Sequence, residues 1–404
     1  MTAVASTPQS IASQHPAFVK FTAMEKELNQ QFFERRDAIR GIILALLCKE
    51  HAFLLGTPGT GKTYLIREIM RRINNAQYFE AILSKTRPTE AVLGPYDIPK
   101  LRDHGNLVRK TQDYLPTSDL AMLDEVGKMP PTLGHDLLSI VLDRIIHQVD
   151  GSGTSHQPVP LHTFVGGSNE LPTDESPDAA ALWDRILVRW PVDEIAERSN
   201  FAALLQGGAK PPANPTTLDL VDLKDAAENV VPATVMPAQV LDVVLTLRDQ
   251  LSEIGISPSS RRWTQAMKLP RASAFMEGRD EVEVSDLGSL AFALWDKPED
   301  LKGVRKLTLS LSDPLAEEAL QFQELVEEIR AAITDAKGMS VDNRGREVMK
   351  LNRNVGDLRN KVDKARQAAI SNNHSTTRLD GVLTELQGVQ KSILHDLLGM
   401  SADS

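Results

Sequence analysis

The sequence predicts an α/β protein with a parallel sheet, a smaller helical domain and a C-terminal helical hairpin or bundle. Three observations lead to this prediction. Short apolar runs alternate with helical patterns, a Gly/Pro-rich segment then interrupts the chain, and its last part carries a heptad pattern. With 404 residues, of which 41% are hydrophobic and 25% charged, the chain is long and apolar enough for two or three domains with buried cores.

The predicted order of domains follows these breaks. The core strands are the apolar runs HAFLL, YFEAIL, LAMLD and LHTFVGG. We expect a flexible tail at 1–16, an α/β core at 17–206, a linker at 207–217, a helical domain at 218–297 and a C-terminal helical region at 298–404. The linker has the sequence GGAKPPANPTT, and DKPED marks the second break.

Apolar residues in the C-terminal region recur at alternating steps of three and four residues. The first run comprises Val348, Leu351, Val355, Leu358, Val362, Ala365 and Ala369. After SNNHSTT a second run comprises Leu379, Val382, Leu386, Val389 and Ile393. Two heptad runs joined by a polar loop predict an antiparallel helical hairpin, on which an earlier helix at 314–333 packs. We expect this region to be structural rather than catalytic.

Charge and cysteine content narrow the possible functions. The net charge of −10 and the pI near 5.5 argue against sequence-independent binding to duplex nucleic acid, although a local basic patch or pore is compatible with them. The single cysteine, Cys48, lies in an apolar helical pattern, so we expect a core residue. No apolar run is long enough to span a membrane, and the N-terminus lacks a secretory pattern, so we expect a cytoplasmic protein.

A glycine-rich loop follows the first predicted strand and precedes an amphipathic helix. Its residues Gly56, Gly61, Lys62 and Thr63 match G-x-x-x-x-G-K-[ST]. Glycines let backbone N–H groups surround phosphate oxygens, and the N-terminus of the following helix favours an anion. In such a loop Lys62 meets the β- and γ-phosphates and Thr63 holds Mg²⁺. The alternative, a loop without a ligand, is disfavoured by the flanking strand and helix.

Two further strands end in residues suited to ATP hydrolysis. LAMLDEV places Asp124 and Glu125 at a strand end, where Asp124 would hold the Mg²⁺ shell and Glu125 would polarise the attacking water. An apolar run followed by two acids is common by chance, but its position downstream of the glycine-rich loop strengthens this interpretation. FVGGSNE ends at Ser168 and Asn169, whose amide could hold the lytic water, with a plain turn as the alternative.

Two arginine pairs could contact the phosphates. LWDRILVRW contains Arg185 and Arg189 four residues apart, on one helix face or in a turn. An arginine donated by a neighbouring subunit would couple hydrolysis to assembly. Surface salt bridges are the alternative, and they fit Arg189 better than Arg185. In SPSSRRW, one of Arg261 and Arg262 could reach the γ-phosphate from the helical domain, while the other pairs with an acid.

Taken in order, GTPGTGKT, LAMLDEV, GGSNE, LWDRILVRW and SPSSRRW resemble the motifs of MoxR-family AAA+ ATPases, with the RavA-like branch as the nearest type. NQQFFERRDAI, TRPTEAVLGPYDIPKLRDHGNLVRKTQDYLP, DEVGKMPPTLGHDLLSIVLDR and SNELP also resemble family segments. The resemblance covers about residues 17–297. It implies an AAA+ core with a helical lid, ATP and Mg²⁺ as cofactors, a homo-oligomeric and typically hexameric ring, and a partner with a von Willebrand A domain.

The resemblance also implies roles for individual residues. The Walker A loop and the residue after it are Gly56, Thr57, Pro58, Gly59, Thr60, Gly61, Lys62, Thr63 and Tyr64. The other implied assignments are Asp124 and Glu125 as the Walker B acids, Asn169 as sensor 1, Arg185 as the arginine finger and Arg261 as sensor 2, with Arg189 and Arg262 as alternates and Phe32 and Phe33 near the adenine. RavA-like proteins carry a β-rich C-terminal insertion, whereas this C-terminal region is helical in pattern, so partner contacts through that insertion are not expected.

Two inserts could contact a client protein. The segment 96–114 is a turn-rich insert in which DHGN predicts a hairpin turn, and 147–162 is a second insert. In a ring both could face the pore and grip a client, and solvated hairpins are the alternative. The histidines His104, His135, His147, His156 and His162 show no metal-ligand spacing.

These observations predict a ring-forming ATPase that hydrolyses ATP between subunits and remodels or activates a partner protein. Two alternatives stay open. A nucleic-acid-associated motor or loader would show DNA-stimulated ATPase activity, although the acidic charge makes nucleic acid a poor candidate partner. A nucleotide-gated assembly scaffold would show slow turnover and ATP-dependent ring formation. The complete pair of Walker B acids favours hydrolysis.

Overall fold

The computed structural model describes residues 10–150, 153–171, 177–208, 210–312, 314–337, 341–371 and 376–393. The chain divides into two compact units, Met1–Val304 and Arg305–Ser404. Of the segments assigned from sequence, residues 1–9 of the tail and 372–375 of the polar loop lie outside the described residues.

The strands are β1 (Ala52–Leu55), β2 (Ile73–Asn74), β3 (Tyr78–Ile82), β4 (Leu120–Asp124), β5 (Ile145–Asp150), β6 (Gly153–Pro158), β7 (Thr163–Ser168), β8 (Val188–Pro191) and β9 (Leu218–Asp219). The helices of the first unit begin with α1 (Ile11–Gln14), α2 (Pro16–Gln31), α3 (Arg36–Cys48), α4 (Lys62–Met70), α5 (Glu90–Leu93), α6 (Ile98–His104), α7 (Pro131–Asp143), α8 (Pro177–Arg185) and α9 (Arg198–Leu205). They continue with α10 (Leu220–Asp225), α11 (Val231–Ala233), α12 (Ala238–Glu253), α13 (Ser260–Ala266) and α14 (Lys268–Met276). The division between the two units falls within α15 (Pro298–Ser312). The remaining helices are α16 (Pro314–Lys337), α17 (Val341–Ser371) and α18 (Thr377–Ser392).

The centre of the first unit is a five-stranded parallel sheet with the order β3-β4-β7-β1-β8. The four predicted strand runs form β1, β3, β4 and β7, which confirms the predicted parallel sheet. β1, β4 and β7 are almost wholly buried, as expected for parallel strands covered by helices on both faces. Because the strands run in parallel, the ends of β1, β4 and β7 meet at one edge of the sheet.

The strand β8 was not predicted as a strand. Arg185 and Arg189 were placed together on one helix face or in a turn, but Arg185 ends α8 whereas Arg189 lies inside β8. β8 pairs with β1 along Val188–Pro191, and this neighbouring strand satisfies its backbone groups. Four residues with a central arginine carry no strand pattern of their own, so the tertiary pairing decides this local structure.

The helix α3 packs on the sheet as an almost fully buried helix. Its apolar residues at helical spacing, Ile39, Ile42, Ile43, Leu46 and Leu47, are all buried. Cys48 at its end is buried as well, and burial raises the pKa of its thiol far above the ordinary value. The prediction of Cys48 as a core residue is confirmed.

Residues 10–16, which the sequence assigned to a tail, form helix α1 and the start of α2. The backbone N–H groups of Ile11 and Ala12 each donate a 2.8 Å hydrogen bond to the carboxylate of Asp280. Ser10 caps α1 and also donates to the carbonyl of Gly278. This part of the N-terminal segment is therefore fixed against the helical domain.

The two inserts differ from each other in structure. The second contains the antiparallel hairpin β5–β6, in which His147 lies opposite His156. The first contains helix α6, which Gly105 ends in a left-handed conformation with φ 68°, so DHGN is a helix cap rather than a hairpin turn. The backbone N–H of Val149 donates to the carbonyl of Leu107, so the inserts contact each other.

The C-terminal unit is a bundle of α16, α17 and α18. All twelve residues of the two predicted heptad runs are buried in one apolar cluster. The α16 residues Ala319, Phe322, Val326, Ile329, Ile333 and Ala336 belong to the same cluster. The helical hairpin and the packing of the earlier helix on it are therefore confirmed.

Among the described residues, no helix combines the length and apolar character that crossing a bilayer would require.

Candidate functional site

The glycine-rich loop connects β1 to α4 and depends on its glycines for different reasons. A Cβ on Gly56 would lie 2.1 Å from the carbonyl oxygen of Val192, so only glycine fits between the loop and the chain after β8. Gly59 and Gly61 have φ values of +92° and +84°, which favour glycine. The backbone N–H of Gly56 also donates a 3.1 Å hydrogen bond to Ser168, which fixes the loop to the end of β7.

Lys62 begins α4 and is only 8% exposed. Its ammonium group donates to the carbonyls of Gly56 and Thr57 and contacts the hydroxyl of Thr60. Burial lowers the pKa of Lys62, because the charged form loses hydration that these neutral oxygens only partly replace. A phosphate anion would stabilise the charged ammonium group, so this site fits a phosphate group.

Thr63 and Asp124 form the polar link between the loop and β4. Thr63 Oγ1 donates a 2.7 Å hydrogen bond to Asp124 Oδ2, and Asp124 Oδ1 accepts a 3.0 Å hydrogen bond from the backbone N–H of Glu125. Opposite Asp124 in the sheet is Gly167, where a Cβ would lie 2.8 Å from Asp124 Oδ1. A hydroxyl and a carboxylate are oxygen ligands that Mg²⁺ prefers, so these residues fit the predicted metal ligands.

Glu125 and Asn169 lie beyond the ends of the neighbouring strands β4 and β7. Glu125 adopts a left-handed backbone with φ 55° and ψ 44°, which turns the chain directly after the strand. Its carboxylate forms a 3.1 Å ion pair with Lys128. Asn169 Oδ1 is buried without a hydrogen-bond partner in the described part of the chain. Such an acceptor is suited to a bound water or ligand.

Aromatic residues lie beside the loop on its α2 side. The rings of Phe32 and Tyr64 are 5.2 Å apart, and Gln31 donates a 3.0 Å hydrogen bond to the Tyr64 hydroxyl. Phe33 is half-buried. The Phe32 ring thus packs against Tyr64, the residue that follows the glycine-rich loop near the start of α4.

Two residues near the loop, Glu34 and Arg35, were missed in the sequence, and Arg35 contacts the loop directly. The buried Arg35 guanidinium donates to the carbonyl of Thr60 at 3.2 Å and of Asp193 at 2.7 Å, which ties the loop to the segment after β8. Burial lowers the pKa of Arg35. Glu34 accepts hydrogen bonds from the backbone N–H groups of Ala196 and Glu197. In the sequence these residues look like any surface charge run. Their position directly after Phe32 and Phe33 is the one signal that could have drawn attention to them.

The two candidate arginines of LWDRILVRW have different environments. Arg185 is partly exposed at the end of α8 and lies 3.3 Å from the carboxylate of Asp184. Arg189 is fully buried and donates to the carbonyls of Trp183 and Trp295 and to Asp296. Burial lowers the pKa of Arg189 to about 10. Arg189 is therefore enclosed by the protein, whereas the Arg185 side chain is 24% exposed.

The two arginines of SPSSRRW also have different environments. Arg261 is exposed on α13, whereas Arg262 is only 3% exposed. Arg262 donates to the carbonyls of Ala293, Asp184, Ile186 and Leu187. Burial, followed by repulsion from Arg189, lowers the pKa of Arg262 to about 9.

The structure thus brings the loop, Asp124, Glu125 and Asn169 to one edge of the sheet. The roles assigned to these residues, and to Arg185 and Arg261, remain predictions.

Comparisons with known proteins agree with this arrangement. A family model described as the MoxR domain of MoxR-vWA-beta-propeller ternary systems matches residues 19–227, and an AAA lid domain matches residues 239–308. Two uncharacterized proteins of Methanocaldococcus jannaschii are 31% and 30% identical to the chain. The first alignment covers 91% of this chain and 94% of the relative, and the second covers 92% and 97%.

A crystal structure from Cytophaga hutchinsonii, described as that of a proposed ATPase, shares the fold. Its TM-score is 0.56 at 15% identity, and the match covers 73% of this chain and 94% of that one. The chain therefore belongs to the MoxR family of AAA proteins, with an AAA lid following its core, and this membership implies that it binds nucleotide.

Proposed function

We propose that this protein is an ATPase that hydrolyses ATP with Mg²⁺. The observation that carries the proposal is the hydrogen bond between Thr63 and Asp124. It joins the glycine-rich loop to β4 and places Glu125 directly beside the predicted metal ligands. Family membership supports the same activity.

Each residue of the site has a role in this reaction. Lys62 would bind the β- and γ-phosphates, and Thr63 and Asp124 would hold Mg²⁺, which when bound supplies charge neutralisation at the phosphate oxygens. Glu125 would orient the attacking water and accept its proton. Asn169, whose buried Oδ1 is free to accept a hydrogen bond in the described structure, would hold that water in line with the γ-phosphate.

The nucleotide would lie at a boundary between two subunits of a homo-oligomeric ring, with six subunits as the family resemblance implies. Arg185 would act as the arginine finger toward the neighbouring subunit, because its side chain is accessible while that of Arg189 is enclosed. By the same reasoning Arg261, which is exposed, rather than Arg262, would contact the nucleotide from the lid.

The output of hydrolysis would be the remodelling or activation of a partner protein in the cytoplasm. The description of the matching family names a von Willebrand A protein and a β-propeller beside the MoxR domain, so a partner with a von Willebrand A domain is the first candidate. This description does not distinguish a RavA-like branch, which rests on the motif resemblance alone. Affinity purification from the native cell, followed by mass spectrometry, would test the partner directly.

Nucleotide binding and turnover of three variants test the proposed activity. Lys62→Ala should lose ATP binding, and Glu125→Gln should bind ATP but retain it without turnover. Glu253→Gln, an exposed carboxylate change on α12, is the matched control and should behave as wild type. Unchanged turnover in Glu125→Gln would show that the assigned role is wrong.

A further inference from the structure

The turn between α8 and β8 is held by an arginine of the lid. Arg262, at the start of α13, donates to the carbonyls of Asp184 at 3.3 Å, Ile186 at 2.8 Å and Leu187 at 3.0 Å. Asp184 and Ile186 are the two neighbours of Arg185 in the chain. The backbone on both sides of Arg185 is thus fixed by one buried side chain from the lid.

A second buried arginine holds the same turn from the core. Arg189 donates to the carbonyl of Ile186 at 3.2 Å and to that of Trp183, and it also donates to the carbonyl of Trp295 and the carboxylate of Asp296, which belong to the lid. Ile186 therefore accepts from both arginines. Between them, the two guanidinium groups connect the segment on both sides of Arg185 to the lid at two places.

A guanidinium group makes such a connection rigid. Its five N–H donors lie in one plane, so several carbonyls bound to it have fixed relative positions. A buried arginine that lost these partners would leave an uncompensated charge, which is strongly unfavourable. The turn that carries Arg185 and the start of α13 are therefore held together, because separating them would leave this charge without its partners.

We propose that Arg262 is a positioning residue that couples the position of the lid to the direction of Arg185. The inference rests on the proposed function, in which Arg185 acts on the nucleotide of the neighbouring subunit. Nucleotide bound in one subunit would shift the lid of that subunit. Through Arg262 the shift would change the position of Arg185, which contacts the nucleotide of the neighbouring subunit. The nucleotide state would thereby pass from one subunit to its neighbour without direct contact between the two nucleotides.

The tryptophans provide a direct signal for this movement. The chain has four of them, and Trp183 and Trp295 have ring centroids 6.1 Å apart. Trp190 packs on Phe292 at 4.8 Å, and Trp263 follows Arg262 on α13. Intrinsic fluorescence therefore reports on the boundary between core and lid, and we expect it to change when nucleotide binds.

The test is a mixing experiment with Arg262→Lys, which keeps the charge but not the planar donor set. Nucleotide affinity should stay within about twofold of wild type, while turnover falls at least about tenfold and the fluorescence response to nucleotide weakens. Mixed with Lys62→Ala chains, the variant should regain activity, because those chains bind no nucleotide but offer a correctly held Arg185. Arg261→Lys is the matched control. Because Arg261 is proposed to contact the nucleotide of its own subunit, mixing with Lys62→Ala chains should not restore the turnover of this variant.

Asp296→Asn provides a second variant at a mostly exposed position that should not impair folding. It weakens the connection of Arg189 to the lid and should give a smaller loss of turnover that is rescued in the same way. Wild-type turnover in Arg262→Lys, or failure of rescue where Arg185→Ala is rescued, would overturn the inference. If Lys62→Ala chains fail to restore the turnover of Arg185→Ala itself, the result would instead contradict the proposal that Arg185 acts on the nucleotide of the neighbouring subunit.

Discussion

Thr63 Oγ1 donates a 2.7 Å hydrogen bond to Asp124 Oδ2, although the two residues lie 61 positions apart in the chain. This bond places the start of α4 against the end of β4. The contact is possible because Gly167 on the neighbouring strand has no side chain where Asp124 lies. The predicted metal site therefore depends on the space that Gly167 leaves beside Asp124 as well as on the ligands Thr63 and Asp124.

Gly167→Ala should weaken nucleotide binding that depends on Mg²⁺. The new Cβ would lie 2.8 Å from Asp124 Oδ1, so the carboxylate that accepts from Thr63 must shift from its present position. We expect an affinity loss of about tenfold with Mg²⁺, equal to about 1.4 kcal/mol, and a smaller loss with EDTA. Titration calorimetry under both conditions measures this. Gly356→Ala, in open space on α17, is the control and should bind as wild type.

Arg185→Ala should abolish turnover but preserve nucleotide affinity. The side chain is accessible and is absent from the loop that would bind the nucleotide, so its removal should act on the transition state. Mixing with Lys62→Ala chains should restore part of the activity, since each variant supplies what the other lacks. No restored turnover in mixed rings that are verified by native mass spectrometry would count against action across a subunit boundary.

Acid should destabilise the first unit through His162. Its Nε2 lies 2.8 Å from the carbonyl of Leu46 and its Nδ1 has no hydrogen-bond partner among the described residues, and burial lowers its pKa to about 4. Below pH 6.5 the unfolded chain binds a proton that the folded state does not, so stability falls as the pH falls from 6.5 to 4. Between pH 7 and pH 5 we expect a loss of about 2 kcal/mol from this group.

Urea unfolding of wild type and His162→Gln at both pH values measures this contribution. The variant should be less stable at pH 7 but should lose less stability on acidification. Buried His51, whose pKa is also lowered by burial, should leave part of the pH dependence in place. An equal loss in wild type and variant would show that His162 already binds a proton in the folded state.

Leu386→Ala should destabilise the C-terminal bundle. Leu386 is 1% exposed in the apolar cluster, and removing a buried leucine costs about 2–5 kcal/mol. Met349 on α17 is 75% exposed, so Met349→Ala should change the free energy of unfolding by less than about 0.5 kcal/mol. Urea unfolding followed by helical ellipticity compares them, and equal effects would contradict the assigned packing.

The sequence predicted those parts of the fold that have a strong local pattern. Heptad spacing identified every residue in the two C-terminal runs because each such residue must face the same core. Short apolar runs identified β1, β3, β4 and β7. The glycine-rich loop and the acids after β4 were found because their chemistry needs particular residues at fixed spacing.

The parts that could not be predicted depend on tertiary contacts. β8 is a strand because β1 pairs with it, and its Arg189 is buried because carbonyls distant in sequence surround it. Nothing in the sequence distinguishes Arg262, which is buried, from the exposed Arg261 beside it. Arg35 was missed for the same reason, since an arginine that binds backbone carbonyls looks identical in sequence to one that faces solvent.

The central claim is that ATP is hydrolysed where two subunits meet. Turnover per chain, measured across a range of protein concentrations together with mass by light scattering, tests it most directly. Turnover should be near zero for the monomer and should rise in parallel with the assembled fraction. A verified monomer that turns over ATP as fast per chain as the assembly would contradict the account.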